Sequence, residues 1–189
     1  KQLVKALPKM AKAASAAEIV LRERPAVCVE VGVFGGRWTL AVAAALRHVG
    51  AGVVHAIDPW NTAPCAEGTH AEEHRAWWQS VDLPGAKAKF LAARDETGLA
   101  PWVRVREQSS RAAAWAFDKG SIDLIHVDGN HSPEESTADV RAWLPLVKPG
   151  GWVAFDDSHW PSVAGALSLL DAACELIRDY GTWRLYRVR

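Results

Sequence analysis

An excess of charge of either sign is missing from this 189-residue chain: lysine plus arginine number 22, and aspartate plus glutamate also number 22. With no net field, neither nucleic acid nor an acidic membrane surface is an expected partner. No apolar run approaches the roughly 20 residues that a membrane span requires, and no secretory signal is visible. Cysteine is scarce. Cys28, Cys65 and Cys174 are odd in number and widely spaced. They form neither a zinc pattern nor a disulfide framework, which fits a reducing cytoplasm. Also lacking are an internal repeat, a low-complexity tract and any sign of a second domain. The length suits one domain, 1–189, with a substantial core. The sequence starts at Lys1 rather than at methionine, which points to a further N-terminal piece. Tryptophan, by contrast, is abundant at ten residues, and packing accounts for most of them.

What is present is organised around Ser121–Trp160. Two apolar runs, Ile122–Val127 and Trp152–Phe155, each end in aspartate: Asp128 after the first, Asp156 and Asp157 after the second. Between them Ser132 is placed to cap a helix, Pro133 suits its first turn and Glu135 completes a capping box. Lys148-Pro149-Gly150-Gly151 then stops the helix and turns the chain back. A strand, helix and strand of this length form a right-handed unit with parallel strands. Asp128, Asp156 and Asp157 then meet at one carboxyl edge, where open α/β sheets bind ligands.

The rest of the chain supplies the other half of such a sheet. Met10–Arg24 reads as an alanine-rich helix ended by Pro25, and Ala26–Val31 as the first strand. A glycine turn follows, then a helix over Thr39–His48, a strand at Val53–Ile57 and Asp58-Pro59. Residues 59–100 form a variable insert, irregular from Asn61 onward, with helices near His70–Val81 and Ala86–Thr97 separated by Pro84-Gly85. Trp102–Arg106 is a third strand, followed by Gln108-Ser109-Ser110 and a helix to about Phe117. Pro161–Cys174 is helical, and Glu175–Tyr180 with Thr182–Val188 forms a hairpin about Gly181.

Glu30-x-Gly32-x-x-x-Gly36 sits on a strand-to-helix turn, where glycine lets backbone approach a ligand and free helix amides attract an anion. Such a turn alone is equally a tight turn. It lacks the Gly-x-Gly of the dinucleotide fingerprint, which argues against NAD or FAD. Asp58 is placed to accept hydrogen bonds from a ribose diol; alone it is equally a turn cap. Together the two favour a nucleotide-like ligand.

VEVGVFGG, HAIDPW, IDLIHVDGNH and LVKPGGWVAFDD together resemble the motifs of class I S-adenosylmethionine-dependent methyltransferases. The likeness runs from about Val27 to the C-terminus, and is nearest to bacterial small-molecule O-methyltransferases of the macrocin (sugar) and catechol types. The resemblance implies a Rossmann-like, doubly wound seven-stranded sheet of order 3-2-1-4-5-7-6, with the last strand antiparallel and helices on both faces. It also implies S-adenosyl-L-methionine as cofactor. Glu30, Gly32 and Gly36 would shape the methionine side of its pocket, Asp58 would hold the ribose, Trp60 would lie against the adenine, and Gln108 and Ser109 would contact the adenine edge. Trp38 departs from the catechol pattern, whose serine binds the cofactor carboxylate; Thr39 or backbone amides would substitute.

By the same resemblance, Asp128, Asp156 and Asp157 stand where metal-dependent relatives bind Mg2+, a hard ion suited to oxygen ligands. The other reading is that Asp128 touches only cofactor or substrate while Asp156 and Asp157 cap the next helix. His131 falls where catechol-type relatives place a catalytic lysine, and histidine accepts a hydroxyl proton readily. Sugar-modifying relatives use an aspartate where Asn130 stands here, and an amide is no base. His159 is the reserve candidate. His126, inside a strand, reads as a packed structural residue. His70 and His74 share a helical face in the insert, as a solvated pair or as part of an acceptor pocket. The expected activity is Mg-assisted O-methylation of a small hydroxylated metabolite, with the chain itself as homodimer partner. The alternatives are metal-independent N- or O-methylation, and a cofactor-binding module without methyl transfer.

Overall fold

The computed structural model describes the backbone of residues 2–65, 67–69 and 72–189, and their side chains apart from 2–9, 73 and 74. The apolar, β-branched runs become strands because both their faces are buried. β1 (Val27–Val31), β2 (Val53–Ile57), β3 (Val103–Arg106), β4 (Ile122–Val127) and β5 (Val147–Asp156) run parallel. β6 (Cys174–Asp179) and β7 (Trp183–Val188) complete a seven-stranded sheet of order β3-β2-β1-β4-β5-β7-β6. β7 is antiparallel to both of its neighbours. This is the doubly wound order expected from the sequence.

Eight α-helices are described: α1 (Gln2–Glu23), α2 (Arg37–Val49), α3 (Thr62–Cys65), α4 (Glu72–Ser80), α5 (Leu83–Glu96), α6 (Ser110–Ala114), α7 (Pro133–Trp143) and α8 (Ala164–Ala173). Among the described residues, no helix is long and apolar enough to cross a membrane. The alternation of side chains along each strand divides the core in two. Cys28, Val54, Leu124 and Ala154 pack under Ile19 and Val20 of α1 and Val42 and Leu46 of α2. Val29, Ile125, Val153 and Phe155 face the other way, under Val140 and Trp143 of α7 and Leu167 and Leu170 of α8. Burying one such Val, Leu or Ile side chain is worth about 1.5–3 kcal/mol.

The same alternation sorts the polar residues. Glu30 follows Cys28 by two, His126 and Asp128 follow Leu124 by two and four, and Asp156 follows Ala154 by two. All four therefore belong to the α1 side, toward the carboxyl ends of the strands. Register agrees: Glu30 pairs with His126, and His126 with Ala154.

Several element boundaries differ from the sequence expectation, each for a local reason. α5 begins at Leu83 and runs through Pro84-Gly85, because Asp82 caps it and accepts a hydrogen bond from the Gly85 amide at 2.9 Å. Proline is tolerated there, since a first-turn N–H has no helical partner to lose. β5 takes in Lys148-Pro149-Gly150-Gly151 instead of starting after it. The pairing jumps from Ile122↔Val147 to Leu124↔Trp152, so the Pro-Gly-Gly segment forms an irregularity in the strand. Half of the expected capping box forms. Ser132 accepts from the Glu135 amide at 3.2 Å, but the Glu135 carboxylate pairs with Arg111 at 2.9 Å and the Ser132 amide donates to Asn130.

Candidate active site

A cavity of about 910 Å³ opens outside the carboxyl ends of the parallel strands. It sits beside the β1–β4 junction, where the strand order reverses and such sheets hold their ligands. Its size is at the upper end of the ~300–1,000 Å³ usual for small-molecule sites. Glu30, Gly32, Asp58, Ser109, Asp128, His131, Asp156 and Asp157 line it together.

The β1–α2 turn closes one wall. Gly32 has φ +86°, and its amide donates to the Ile57 carbonyl at 2.9 Å. A Cβ there would lie 1.9 Å from the Asp128 carbonyl oxygen, so the close approach of the β1 and β4 ends requires glycine. At Gly36, φ +76°, a Cβ would lie 2.0 Å from the Phe90 ring. Gly36 therefore serves packing against α5. Asp58, at the end of β2, accepts from the Phe34 amide at 2.8 Å and the Trp60 amide at 2.6 Å. Burial pushes its carboxyl up, and those amide bonds oppose the shift.

Glu30 is fully engaged. One oxygen accepts from the Thr39 amide at 3.0 Å and from the Thr39 hydroxyl; the other lies 3.1 Å from His126 Nδ1. That contact makes His126 Nδ1 the protonated nitrogen and leaves Nε2 as an acceptor. Burial, reinforced by Lys12, lowers the His126 pKa, so the ring is neutral. Nε2 is buried, has no hydrogen-bond partner among the described residues, and lies 4.0 Å from Asp128 Oδ2.

Lys12 is the residue that the sequence reading missed. It is 6% exposed, and its ammonium donates to Asp156 Oδ2 and to Asp128 Oδ2, the latter at 3.4 Å. Burial alone would lower its pKa, but Asp128 and Asp156 outweigh that and raise it. Burial pushes Asp128 well up. For Asp156, burial pushes upward, but Lys12, His126 and the hydrogen bonds from Asp128 and Lys12 together hold the carboxyl below its usual range. The sequence signal was available: Lys12 shares a helical stripe with Ala16, Ile19 and Val20, the buried face of α1. A lysine on that stripe, over a sheet face bearing four acidic or imidazole groups, has nowhere apolar to go.

His131 stands across the cavity floor. Its Nε2 is 3.4 Å from Asp157 Oδ2 and 3.8 Å from Asp128 Oδ1, and its ring leans on Trp160 with centroids 5.2 Å apart. Asp157, at φ +46°, follows the last residue of β5.

A family model described as a methyltransferase domain matches residues 29–158. The chain belongs to that methyltransferase family. Solved structures give the same fold. The O-methyltransferase TomG of Streptomyces achromogenes, solved with SAM and involved in tomaymycin synthesis, superposes at TM-score 0.65. It is 18% identical, with 94% of this chain and 79% of that one covered. An O-methyltransferase of Bacillus cereus in complex with SAH superposes at 0.64, is 16% identical, and covers 95% and 81%. A methyltransferase of Geobacter sulfurreducens covers 100% and 89% at 10% identity and TM-score 0.64. Among curated sequences, the uncharacterized protein y4gI of Sinorhizobium fredii is 28% identical over 85 residues. That match is 43% of this chain, which spans about 9% of the length of the relative.

Within this methyltransferase, several residues singled out from the sequence are turned away from the cavity. Trp60 is buried in the core: its ring stacks on Phe90 at 6.0 Å and its Nε1 donates to the Phe34 carbonyl at 2.9 Å. Thr39 is fully buried and holds Glu30, so it offers nothing to a cofactor carboxylate. Trp38 lines the cavity instead, stacked on His126 at 5.1 Å, and its buried Nε1 has no partner among the described residues. Gln108 is exposed, whereas Ser109 lines the cavity while its hydroxyl caps α6, accepting from the Ala112 amide at 3.4 Å. His159 is exposed and accepts from Trp160 Nε1 at 3.1 Å. His70 and the side chain of His74 lie outside the described residues.

The three aspartates do not converge on a Mg2+ centre in this arrangement. Asp128 and Asp156 face an ammonium, and Asp157 faces His131. The group whose ligand atoms do converge, within 4.8 Å of one another, is His126, Asp128 and Asp156. It is a nitrogen-and-oxygen set with Lys12 already against both carboxylates. Mg2+ demands oxygen ligands in a near-octahedral array, so the arrangement does not fit it.

Asp139 on α7 also lines the cavity. Burial pushes its carboxyl up to about 7, against a hydrogen bond from Ser110 Oγ at 2.5 Å. A raised carboxyl pKa means that the folded state keeps a proton the unfolded state has lost. Its contribution to stability is therefore present below about pH 4 and lost as pH rises toward 7. Asp139→Asn is expected to flatten that decline. Denaturant midpoints at pH 4, 5.5 and 8 should converge in the variant relative to the parent.

Proposed function

We propose that this methyltransferase moves the methyl group of S-adenosylmethionine to a hydroxyl of a small metabolite, with His131 as the base. The observation that carries the reading is that Asp58 and His131 stand on the walls of one cavity beside the strand-order reversal. The β1–α2 turn would hold the cofactor, with Asp58 accepting from its ribose hydroxyls. The acceptor oxygen forms a bond to the methyl carbon as the carbon–sulfur bond breaks, and that electron pair stays on sulfur as the neutral thioether. The hydroxyl proton passes to the His131 imidazole, and Asp128 and Asp157 offset the charge that develops there. Holding the two reactants in line supplies most of the remaining acceleration.

The insert forms the acceptor side. Asn130 ties it down, donating to the Pro64 and Glu67 carbonyls at 2.9 Å each. Trp77 and Trp78, in edge contact at 4.7 Å, reach the cavity from α4. Replacing both by alanine is expected to raise the acceptor KM about tenfold or more, the worth of a lost aromatic contact, while cofactor affinity stays put. Equal loss of both affinities would make the pair part of the core. The reading itself is tested by cofactor turnover against a panel of phenols, sugars and hydroxylated natural products. Methyl transfer to oxygen supports it. Cofactor bound with no transfer to any panel member returns the chain to the binding-module reading.

A further inference from the structure

We infer that Lys12 is the built-in cation of this site, standing where a divalent ion would otherwise sit between Asp128 and Asp156. Burying an ammonium is costly unless carboxylates partner it, and Lys12 has two. The carboxylates have the converse need. Glu30, Asp128 and Asp156 project from three adjacent strands onto one face, and one positive charge offsets part of their repulsion. Lys12 is carried by a helix whose Ala16, Ile19 and Val20 are locked in the core, so the ammonium is held in place by packing as well as by charge.

A second observation points the same way. His126 Nε2 is buried, carries a lone pair and is without a partner among the described residues, and it lies with Asp128 and Asp156 in one converging group. Two carboxylates and an imidazole are a donor set that first-row divalent ions accept. What keeps such an ion out is an ammonium lying against both of the carboxylates it needs. Removing the charge should therefore turn the site from one that excludes divalent ions into one that binds them. Lys12 is a positioning residue, fixing Asp128 beside His131 and Asp156 next to it. The inference rests on the methyl-transfer reading only for the consequence that turnover survives chelation; the ion-binding test stands apart from it.

The experiment titrates Mn2+ into the full chain and follows the free ion by electron paramagnetic resonance. The parent protein is expected to leave the Mn2+ signal unreduced at about 100 μM ion. Lys12→Met, and Lys12→Gln as a variant that keeps a hydrogen-bond donor for Asp156, should bind one equivalent and gain at least tenfold in affinity. Lys12→Arg should behave as the parent. A purely structural role for Lys12 would lower thermal stability without creating an ion site. Tight Mn2+ binding by the parent, or no gain in either neutral variant, overturns the inference. Should Lys12→Met fail to fold, Lys12→Gln and the parent titration still decide it.

Discussion

His131→Ala is expected to lower kcat roughly 10²–10⁴-fold, the usual contribution of a general base, while S-adenosylmethionine binds as before. The imidazole sits 3.4 Å from Asp157 and 3.8 Å from Asp128. The substitution leaves both carboxylates in place, so its effect falls on proton removal and not on the shape of the cofactor pocket. The deficit should narrow as pH rises, because an acceptor already ionised in solution needs no base. A phenolic acceptor should show that recovery at lower pH than an aliphatic alcohol, since its hydroxyl ionises more readily. A loss below threefold across the pH range would move the proton elsewhere. The neutral Nε2 of His126 would be the next acceptor to examine.

The second large effect is on stability. Gly32→Ala should destabilise the fold by about 3–5 kcal/mol, from two sources. An L-residue at φ +86° costs about 1–2 kcal/mol, and the new Cβ meets the Asp128 carbonyl oxygen at 1.9 Å. That oxygen cannot retreat cheaply, because the Asp128 amide is bonded to the Val31 carbonyl at 2.8 Å. At two to four degrees per kcal/mol for a chain of this size, the melting temperature should fall by roughly 10 °C. Gly35→Ala is the control. A Cβ there meets nothing within 4 Å, so its effect on stability should stay within about 0.5 kcal/mol. Equal behaviour of the two variants would show that the turn tolerates a side chain and that the approach of β1 to β4 is loose.

The strands β1, β2 and β4 were legible because parallel strands buried on both faces read as unbroken apolar runs, closed here by Gly32, Asp58 and Asp128. The order of the sheet came from the family resemblance. The meeting of Asp128, Asp156 and Asp157 at one carboxyl edge followed from the strand–helix–strand unit, whereas the grouping of Glu30 with Asp128 and Asp156 on one face emerges only from the strand register. Lys12 was missed because its role depends on how α1 lies across the sheet, a tertiary fact. Its place on the apolar stripe of α1 was the clue. Trp60 was misread for a related reason: HAIDPW marks a strand end correctly but says nothing of where the indole turns, and Phe90, thirty residues on, decides it. The insert was the least readable part. Asn130 and Glu134 both tie it to the rest, and Asn130 reads from sequence only as an amide unable to act as a base.

Equilibrium calorimetry with the intact chain tests most directly whether the cavity over the glycine turn is an S-adenosylmethionine site. The expected result is a one-to-one isotherm with S-adenosylmethionine and with its demethylated product. Asp58→Ala should weaken it at least tenfold, and Lys12→Gln should leave it within threefold of the parent. No heat with either ligand, or a one-to-one isotherm with NAD instead, would contradict the account.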